Sequence, residues 1–463
     1  MDFVLRDKVI LRGVRQGAVI DEIKSLLTMP NPRYGLMQSL GKGTRGTPEK
    51  LVFYQEVDHS PDTIICPRGF ADRAYRICRH HGEEILLKDE RLELEPVDME
   101  FRGTLRDFQR AAVSGPLSGS DHGVLSAGTG SGKTVMALYM IATRRQPTLV
   151  IVHTAELLHQ WIGRISDFLG IGSRDVGVVG LGRCDLGRNI TVGLYQTVRK
   201  RVDDLNPGIG HIVVDECHKC PSRTFTEAVE GFRARFRLGL TATEYRRDRL
   251  DRLIFITIGE LRHTIDKAPL VESGDICPAR VICRPTSFST GLDASSDYPR
   301  VMKELTLDEP RNRLICSDIA SESRPGIKLV LTDRREHAVT LSGMLWDIHA
   351  LPSRVLTGKT PKNQREATVA ALEQGEVSIL LATGQLIGEG FDLPGLAILF
   401  LVTPIKFRGR LVQYVGRILR PAPGKTQGII YDYMDMEVGV LQASAASRMG
   451  IYRREGIFVQ EIL

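Results

Sequence analysis

The segment Ala127-Gly-Thr-Gly-Ser-Gly-Lys-Thr134 has the residue types of a phosphate cradle. Glycines let backbone N–H groups turn inward around phosphate oxygens. A helix that follows adds the positive end of its dipole. Gly128, Thr129, Gly130, Ser131 and Gly132 would line that cradle, Lys133 would reach the β- and γ-phosphates, and the Thr134 hydroxyl would hold Mg²⁺. The bland alternative is a glycine-rich turn with a chance Lys-Thr. The context argues against it, because an apolar run precedes the loop and the helical run Val135–Ile141 follows. Further on, the apolar stretch His211–Val214 ends in Asp215 and Glu216. Such a strand end could hold Mg²⁺ on Asp215 and use Glu216 to orient and deprotonate an attacking water. Alone, a pair of acids after a strand is often just solvated; downstream of a phosphate loop it completes an ATPase site. Gln109 lies upstream, and its amide could pair with N6 and N7 of adenine, although a polar helix residue is the plainer reading. Gln413, Arg417 and Arg420 are spaced i, i+4 and i+7, which predicts one helix face carrying two guanidiniums. Such a pair can stabilise charge on a transferring phosphoryl group.

These groups need rigid elements to hold them. From Phe101 onward, short apolar runs alternate with helical stretches: Leu149–Val152, His211–Val214, Lys328–Thr332, Ser378–Ala382 and Ala397–Thr403. The alternation predicts buried parallel strands in βαβ units. At 463 residues the chain is too long for one compact core. Residues 1–100 carry no chemical motif, but Leu51–Val57 and Thr63–Cys66 read as strands of a small α+β domain. Within it, Met29–Thr47 is rich in Pro, Gly and basic residues and reads as a surface loop or a basic finger for phosphates. The stretch Ser273–Pro310 is polar and proline-containing and reads as a linker.

Composition sets outer bounds. With 42% apolar and 25% charged residues the chain is an ordinary globular one. A net charge of +6 is compatible with a polyanionic partner without requiring one. The 8 cysteines show no disulfide framework and fit a reducing cytoplasm. Cys217 and Cys220 form a lone C-x-x-C with no second pair to complete a zinc site. No signal-peptide pattern opens the sequence and no run approaches a membrane span, so no membrane partner is expected; Leu396–Val402 reads as a buried strand.

Taken in order, the segments resemble the motif series of superfamily 2 helicases over roughly residues 101–435. Val150–Trp161 is similar to motif Ia, Gly193–Thr197 to the next nucleic-acid motif, Leu240–Thr243 to motif III, Leu381–Asp392 to motif V and Gln413–Arg420 to motif VI. The resemblance implies an α/β fold of two tandem RecA-like domains, parallel sheets flanked by helices, with the small N-terminal α+β accessory domain. The expected division is 1–100 accessory, 101–272 first RecA-like domain, 273–310 linker and 311–463 second RecA-like domain. It also implies ATP and Mg²⁺ as cofactors, Gly390 and Asp392 near the nucleotide, and Thr154, Gln196, Thr197, Thr332 and Thr383 along a strand-tracking groove. Backbone capping is the local alternative for each threonine. Arg417 and Arg420 would be supplied to the nucleotide by the second domain as the two domains close.

Gly239–Asp251 and Leu157–Trp161 resemble the XPB/UvsW-like and phage branch-migration branch, which points to duplex or branched DNA. The chain departs from the pattern at His153, at Glu244 and in its Asp-Glu-Cys-His box. The expected activity is an ATP-driven DNA helicase or translocase, located in the cytoplasm and on the nucleoid in a bacterium or phage. An RNA helicase is one alternative. Another is a motor or targeting subunit of a defence or transposon-linked complex, which would bind a partner protein through residues 1–100.

Overall fold

The computed structural model describes the chain except residues 42, 129, 220–222, 243–250, 267–269, 272, 295, 385–394, 406–407, 423 and 462–463, and the side chains of 219, 223–225, 251, 362, 408–410, 413 and 461. The described residues form two compact units, one built from Met1–Gly128 and Gly132–Ile265, the other from Thr129–Ser131 and Asp266–Leu463. None of the described helices is long and apolar enough to cross a membrane.

In the first unit the accessory region carries β1 (Asp2–Leu5), β2 (Lys8–Arg12), α1 (Gly17–Leu26), β3 (Thr28–Pro30), α2 (Pro32–Ser39), β4 (Lys50–Val52), β5 (Gln55–Val57), β6 (Ser60–Pro67), α3 (Ala71–His80) and β7 (Leu86–Asp89). Five strands pair in the order β5-β6-β2-β1-β7, and only β1 with β7 is parallel. The expected α+β character is present. The stretch 29–47 is not simply a loop. The Asn31 side chain accepts from the Arg33 N–H at 3.0 Å and Pro32 opens α2, a cap and a first-turn proline that together start a helix. The apolar periodicity that normally reveals a helix is missing because α2 buries none of its residues.

The second part of this unit is an α/β layer. It contains α4 (Asp107–Ser114), β8 (His122–Ala127), α5 (Lys133–Arg144), β9 (Thr148–Val152), α6 (Ala155–Leu169), β10 (Gly177–Gly180), β11 (Arg183–Asp185), β12 (Ile190–Leu194), α7 (Tyr195–Val198), β13 (His211–Val214), β14 (Phe236–Thr241), α8 (Asp251–Thr257) and β15 (Leu261–Ile265). The strand order is β11-β10-β12-β9-β13-β14-β8-β15, parallel except for β10 with β11. Strands β8, β9 and β13 are buried at every position, as expected of strands covered on both faces.

The accessory region is fused to this layer. Leu253 and Ile256 of α8 belong to the same apolar cluster as Phe3, Leu11, Ile23 and Ile64. Fully buried Arg68 donates to the carbonyls of Arg6, Ala234 and Arg235, and Arg237 donates to those of Asp7, Phe232 and Thr257. These guanidiniums satisfy carbonyls that burial would otherwise leave without donors. A Cβ on Gly69 would stand 2.5 Å from the Phe255 carbonyl oxygen, so only glycine allows this approach.

The second unit holds β16 (Ala279–Pro285), α9 (Tyr298–Leu307), α10 (Glu309–Ser321), β17 (Ile327–Thr332), α11 (Arg335–His349), β18 (Ser353–Leu356), β19 (Ile379–Thr383), β20 (Leu396–Leu401), α12 (Arg408–Ile418), β21 (Gly428–Met434), α13 (Gly439–Arg454) and β22 (Phe458–Glu461). Its seven strands are all parallel, in the order β18-β19-β17-β20-β21-β16-β22. Residues 273–310 are therefore not a linker. Strand β16 runs in register with β21 from Ala279 to Pro285, and α9 follows it. The flanking prolines and arginines disguised a buried strand as loop, because the pairing that satisfies β16 comes from the distant β21 and β22.

Candidate nucleotide site

Strand β8 delivers the chain to the glycine loop at the carboxyl edge of the first sheet, where open α/β sheets bind ligands. Gly130 and Gly132 take positive φ, +92° and +81°, and Gly132 caps α5 in the left-handed region. Lys133 is the first residue of α5, and Thr134 follows in the same turn. The Lys133 Nζ donates to the carbonyls of Ala127 at 2.7 Å and Gly128 at 3.3 Å. Buried Gln109 presses against this loop: a Cβ on Gly132 would lie 2.3 Å from Gln109 Nε2. The other end of the same amide accepts from the Arg106 N–H at 3.0 Å and so caps α4. Ser131 is buried, and Thr129 lies outside the described residues.

Asp215 and Glu216 follow β13, two strands from β8 in the same parallel sheet. Asp215 is buried and both of its oxygens are engaged. Oδ2 accepts from the Trp161 indole N–H and Oδ1 from the Glu216 backbone N–H, each at 2.9 Å. Burial and the adjacent Glu216 charge push the Asp215 carboxyl up to about 6, while the Trp161 hydrogen bond and the Lys133 charge pull the other way. A carboxylate costly to ionise, next to a second carboxylate, is one that a divalent cation would stabilise, so these donors fit Mg²⁺. Glu216 has φ +50°, unusual for a residue with a side chain. Such strain collects at functional sites and costs of order 1–3 kcal/mol. Its Oε2 lies 3.1 Å from His218 Nδ1, which is 3.2 Å from Thr241 Oγ1 at the end of β14. The Nδ1 contact to Thr241 is a hydrogen bond, whereas Glu216 Oε2 is buried without a hydrogen-bond partner, so the ring lies beside the acid box without bonding it. Cys217 is fully buried, and a Cβ on Gly239 would come within 3.1 Å of its sulfur.

Three of the expected nucleic-acid residues share this carboxyl edge. Thr154 follows β9 and caps α6, accepting from the Leu157 N–H at 3.3 Å. Gln196 and Thr197 lie in α7 directly after β12, with Gln196 exposed and donating to the Tyr195 hydroxyl at 3.2 Å. In the second unit, Thr332 and Thr383 end β17 and β19 and pair in register. Thr383 is half-buried, but Thr332 is buried and its hydroxyl is engaged locally: it meets His337 Nδ1 at 3.0 Å and accepts from the Arg334 N–H at 3.2 Å.

His337 Nε2 lies 2.9 Å from Asn312 Oδ1, so the ring fits as the neutral form with its proton on Nε2. Burial, reinforced by Arg311, pushes its pKa down to about 3 from 6.5. Below pH 6.5 the unfolded chain binds a proton that the folded ring excludes, so stability is lost as pH falls. This group alone should cost about 1.4 kcal/mol per pH unit. Urea unfolding between about pH 7.5 and about pH 4.5 should show a shallower pH slope in His337→Gln than in wild type; equal slopes would remove the histidine from the account.

Arg417 is on α12, whose Tyr414 hydroxyl donates to the Gly384 carbonyl at 2.6 Å. Arg420 is not on that helix, contrary to the single helix face that its i+7 spacing predicted. The helix ends at Ile418, and a turn bond from Arg420 N to the Arg417 carbonyl closes it. Lys425, which sequence reasoning passed over, donates to the carbonyls of Leu396, Ile418 and Arg420 and secures this end. The Gln413 side chain, Gly390 and Asp392 lie outside the described residues. Trp161 was also missed as a site residue; the Leu157–Trp161 segment contained it, but nothing local linked an indole to an acid 54 positions away.

Residues 102–246 match the family model described as type III restriction enzyme, res subunit, and residues 304–422 match the helicase conserved C-terminal domain. The chain is 26% identical over 341 residues to the probable helicase D10 of Escherichia phage T5, covering 72% of each protein. It is 27% identical over 352 residues to the DNA 3'-5' translocase XPB2 of Sulfurisphaera tokodaii, covering 68% of this chain and 78% of that one. A fragment of a putative HsdR subunit of a type I restriction enzyme from Vibrio vulnificus shares the fold, with TM-score 0.58 and 20% identity over 85% of this chain and 74% of the fragment.

Proposed function

The chain belongs to the superfamily 2 helicases, ATP-hydrolysing enzymes that act on nucleic acid, and on that premise we propose that it is a DNA translocase that remodels duplex or branched DNA. The observation that carries the motor chemistry is the placement of Lys133, Asp215 and Glu216 at the carboxyl edge of one parallel sheet. In this reading the loop from Gly128 to Gly132 and Lys133 hold the ATP phosphates, and Gln109 favours adenine. Thr134 and Asp215 hold Mg²⁺, which would supply charge neutralisation on the phosphate oxygens. Glu216 orients the water and takes its proton. Arg417 and Arg420 stabilise charge on the transferring phosphoryl group, assisted by Gln413, and Gly390 and Asp392 approach the nucleotide. Thr154, Gln196, Thr197, Thr332 and Thr383 serve the nucleic-acid path through hydroxyls, amides and neighbouring backbone N–H groups.

DNA is favoured by the Gly239–Asp251 and Leu157–Trp161 segments and by the named activity of the Sulfurisphaera relative. Residues 1–100 are assigned as the module that recognises branched DNA or a partner protein. Steady-state hydrolysis measured without nucleic acid and with single-stranded DNA, duplex DNA, a four-way junction and RNA tests the proposal. Duplex or junction DNA should stimulate most. Stimulation by RNA alone would replace this reading with that of an RNA helicase.

A further inference from the structure

Trp161 is 1% exposed and sits in the seventh position of α6. Its indole N–H is a donor only, and it donates to Asp215 Oδ2 at 2.9 Å. The Glu216 backbone N–H takes the other oxygen. Each carboxylate oxygen therefore receives one fixed donor and keeps a second lone pair for another ligand. Neither donor is easily displaced: one is main chain, and the other is a buried ring. Helix α6 is itself fixed at its start, where the Thr154 side chain caps the Leu157 N–H. We propose that Trp161 is a positioning residue, whose indole N–H sets the Asp215 carboxylate in the orientation that receives the divalent cation. The inference rests on the reading of Asp215 as a metal ligand. It assigns to α6 a part in the ATPase site in addition to its part beside the nucleic-acid path.

Only two tryptophans occur in the chain, and the other, Trp346, is 61% exposed. In a Trp346→Phe protein, emission excited selectively at the red edge of the indole band, beyond tyrosine absorption, therefore reports Trp161 alone. Adding Mg²⁺ to the complex with a non-hydrolysable ATP analogue should shift or quench that emission. Trp161→Phe should raise the Mg²⁺ concentration for half-saturation of analogue binding by about tenfold, as loss of a hydrogen bond to a metal-ligating carboxylate does. Metal-free analogue binding should stay within about twofold of wild type, which a general loss of packing would not allow. A 3-benzothienylalanine at position 161 keeps the bicyclic shape and replaces the N–H with sulfur; it should reproduce the Mg²⁺ defect with wild-type melting. Emission indifferent to Mg²⁺, together with unchanged Mg²⁺ half-saturation in the benzothienyl protein, would overturn the proposal. If instead Asp215→Asn leaves Mg²⁺ dependence untouched, the reading of Asp215 as a metal ligand fails and the role of Trp161 falls with it, whereas an Asp215→Asn defect without a benzothienyl defect overturns the role of Trp161 alone.

Discussion

Lys133→Ala lowers steady-state ATP hydrolysis on the order of 10³-fold, with or without nucleic acid. The reason is local and electrostatic. Lys133 is the one basic side chain within the phosphate-loop segment, placed at the start of α5 where the helix dipole already favours anions. Its Nζ is held by the Ala127 and Gly128 carbonyls, so the ammonium is already gathered against the loop at little further entropic cost. Alanine removes that charge but keeps the glycine geometry, which depends on Gly130 and Gly132 at positive φ. The half-buried lysine contributes little packing, so the melting temperature should move by no more than a few degrees, on the order of 1 kcal/mol or less. Coupled-assay turnover and thermal melting on the same preparation check both halves. Turnover within about threefold of wild type in a folded Lys133→Ala protein would remove the loop from the mechanism.

Glu216→Gln leaves nucleotide binding near wild type and lowers the hydrolytic step by about 10²- to 10⁴-fold, the range of a lost general base. Glutamine has the same length and keeps a carbonyl oxygen facing His218, but it cannot accept the proton of the attacking water. Its backbone must still adopt φ +50°, so the strain is unchanged and the comparison isolates the carboxylate. Removing the negative charge also relieves Asp215, whose carboxyl is pushed up in part by its neighbour. Metal-dependent nucleotide binding should then hold steady or tighten while single-turnover cleavage collapses. Equal loss of binding and cleavage would instead make Glu216 a structural member of the box.

The sequence by itself determined the fold class and pointed to the residues of the candidate site. Glycine at 130 and 132, lysine at 133 and the acid pair at 215 and 216 are readable because phosphate loops and strand ends are local: a few consecutive residues set both the backbone and the groups it presents. Buried parallel strands are readable for the same reason, since β9, β13, β17, β19 and β20 are predominantly apolar, with polar residues mostly at their ends. Only the tertiary structure decided the rest. Strand β16 is polar at its ends and became a strand through β21 and β22, which lie far away in sequence. Helix α2 follows from a cap and a proline and not from an apolar face. Arg420 leaves the helix because α12 stops at Ile418, where Lys425 takes its final carbonyls. Trp161 reaches Asp215 because β9 and β13 are adjacent in the sheet, bringing the helix after one strand over the acid after the other. Backbone geometry and hydrophobic pattern are written in consecutive residues, whereas hydrogen bonds between distant elements exist only once the chain has closed on itself.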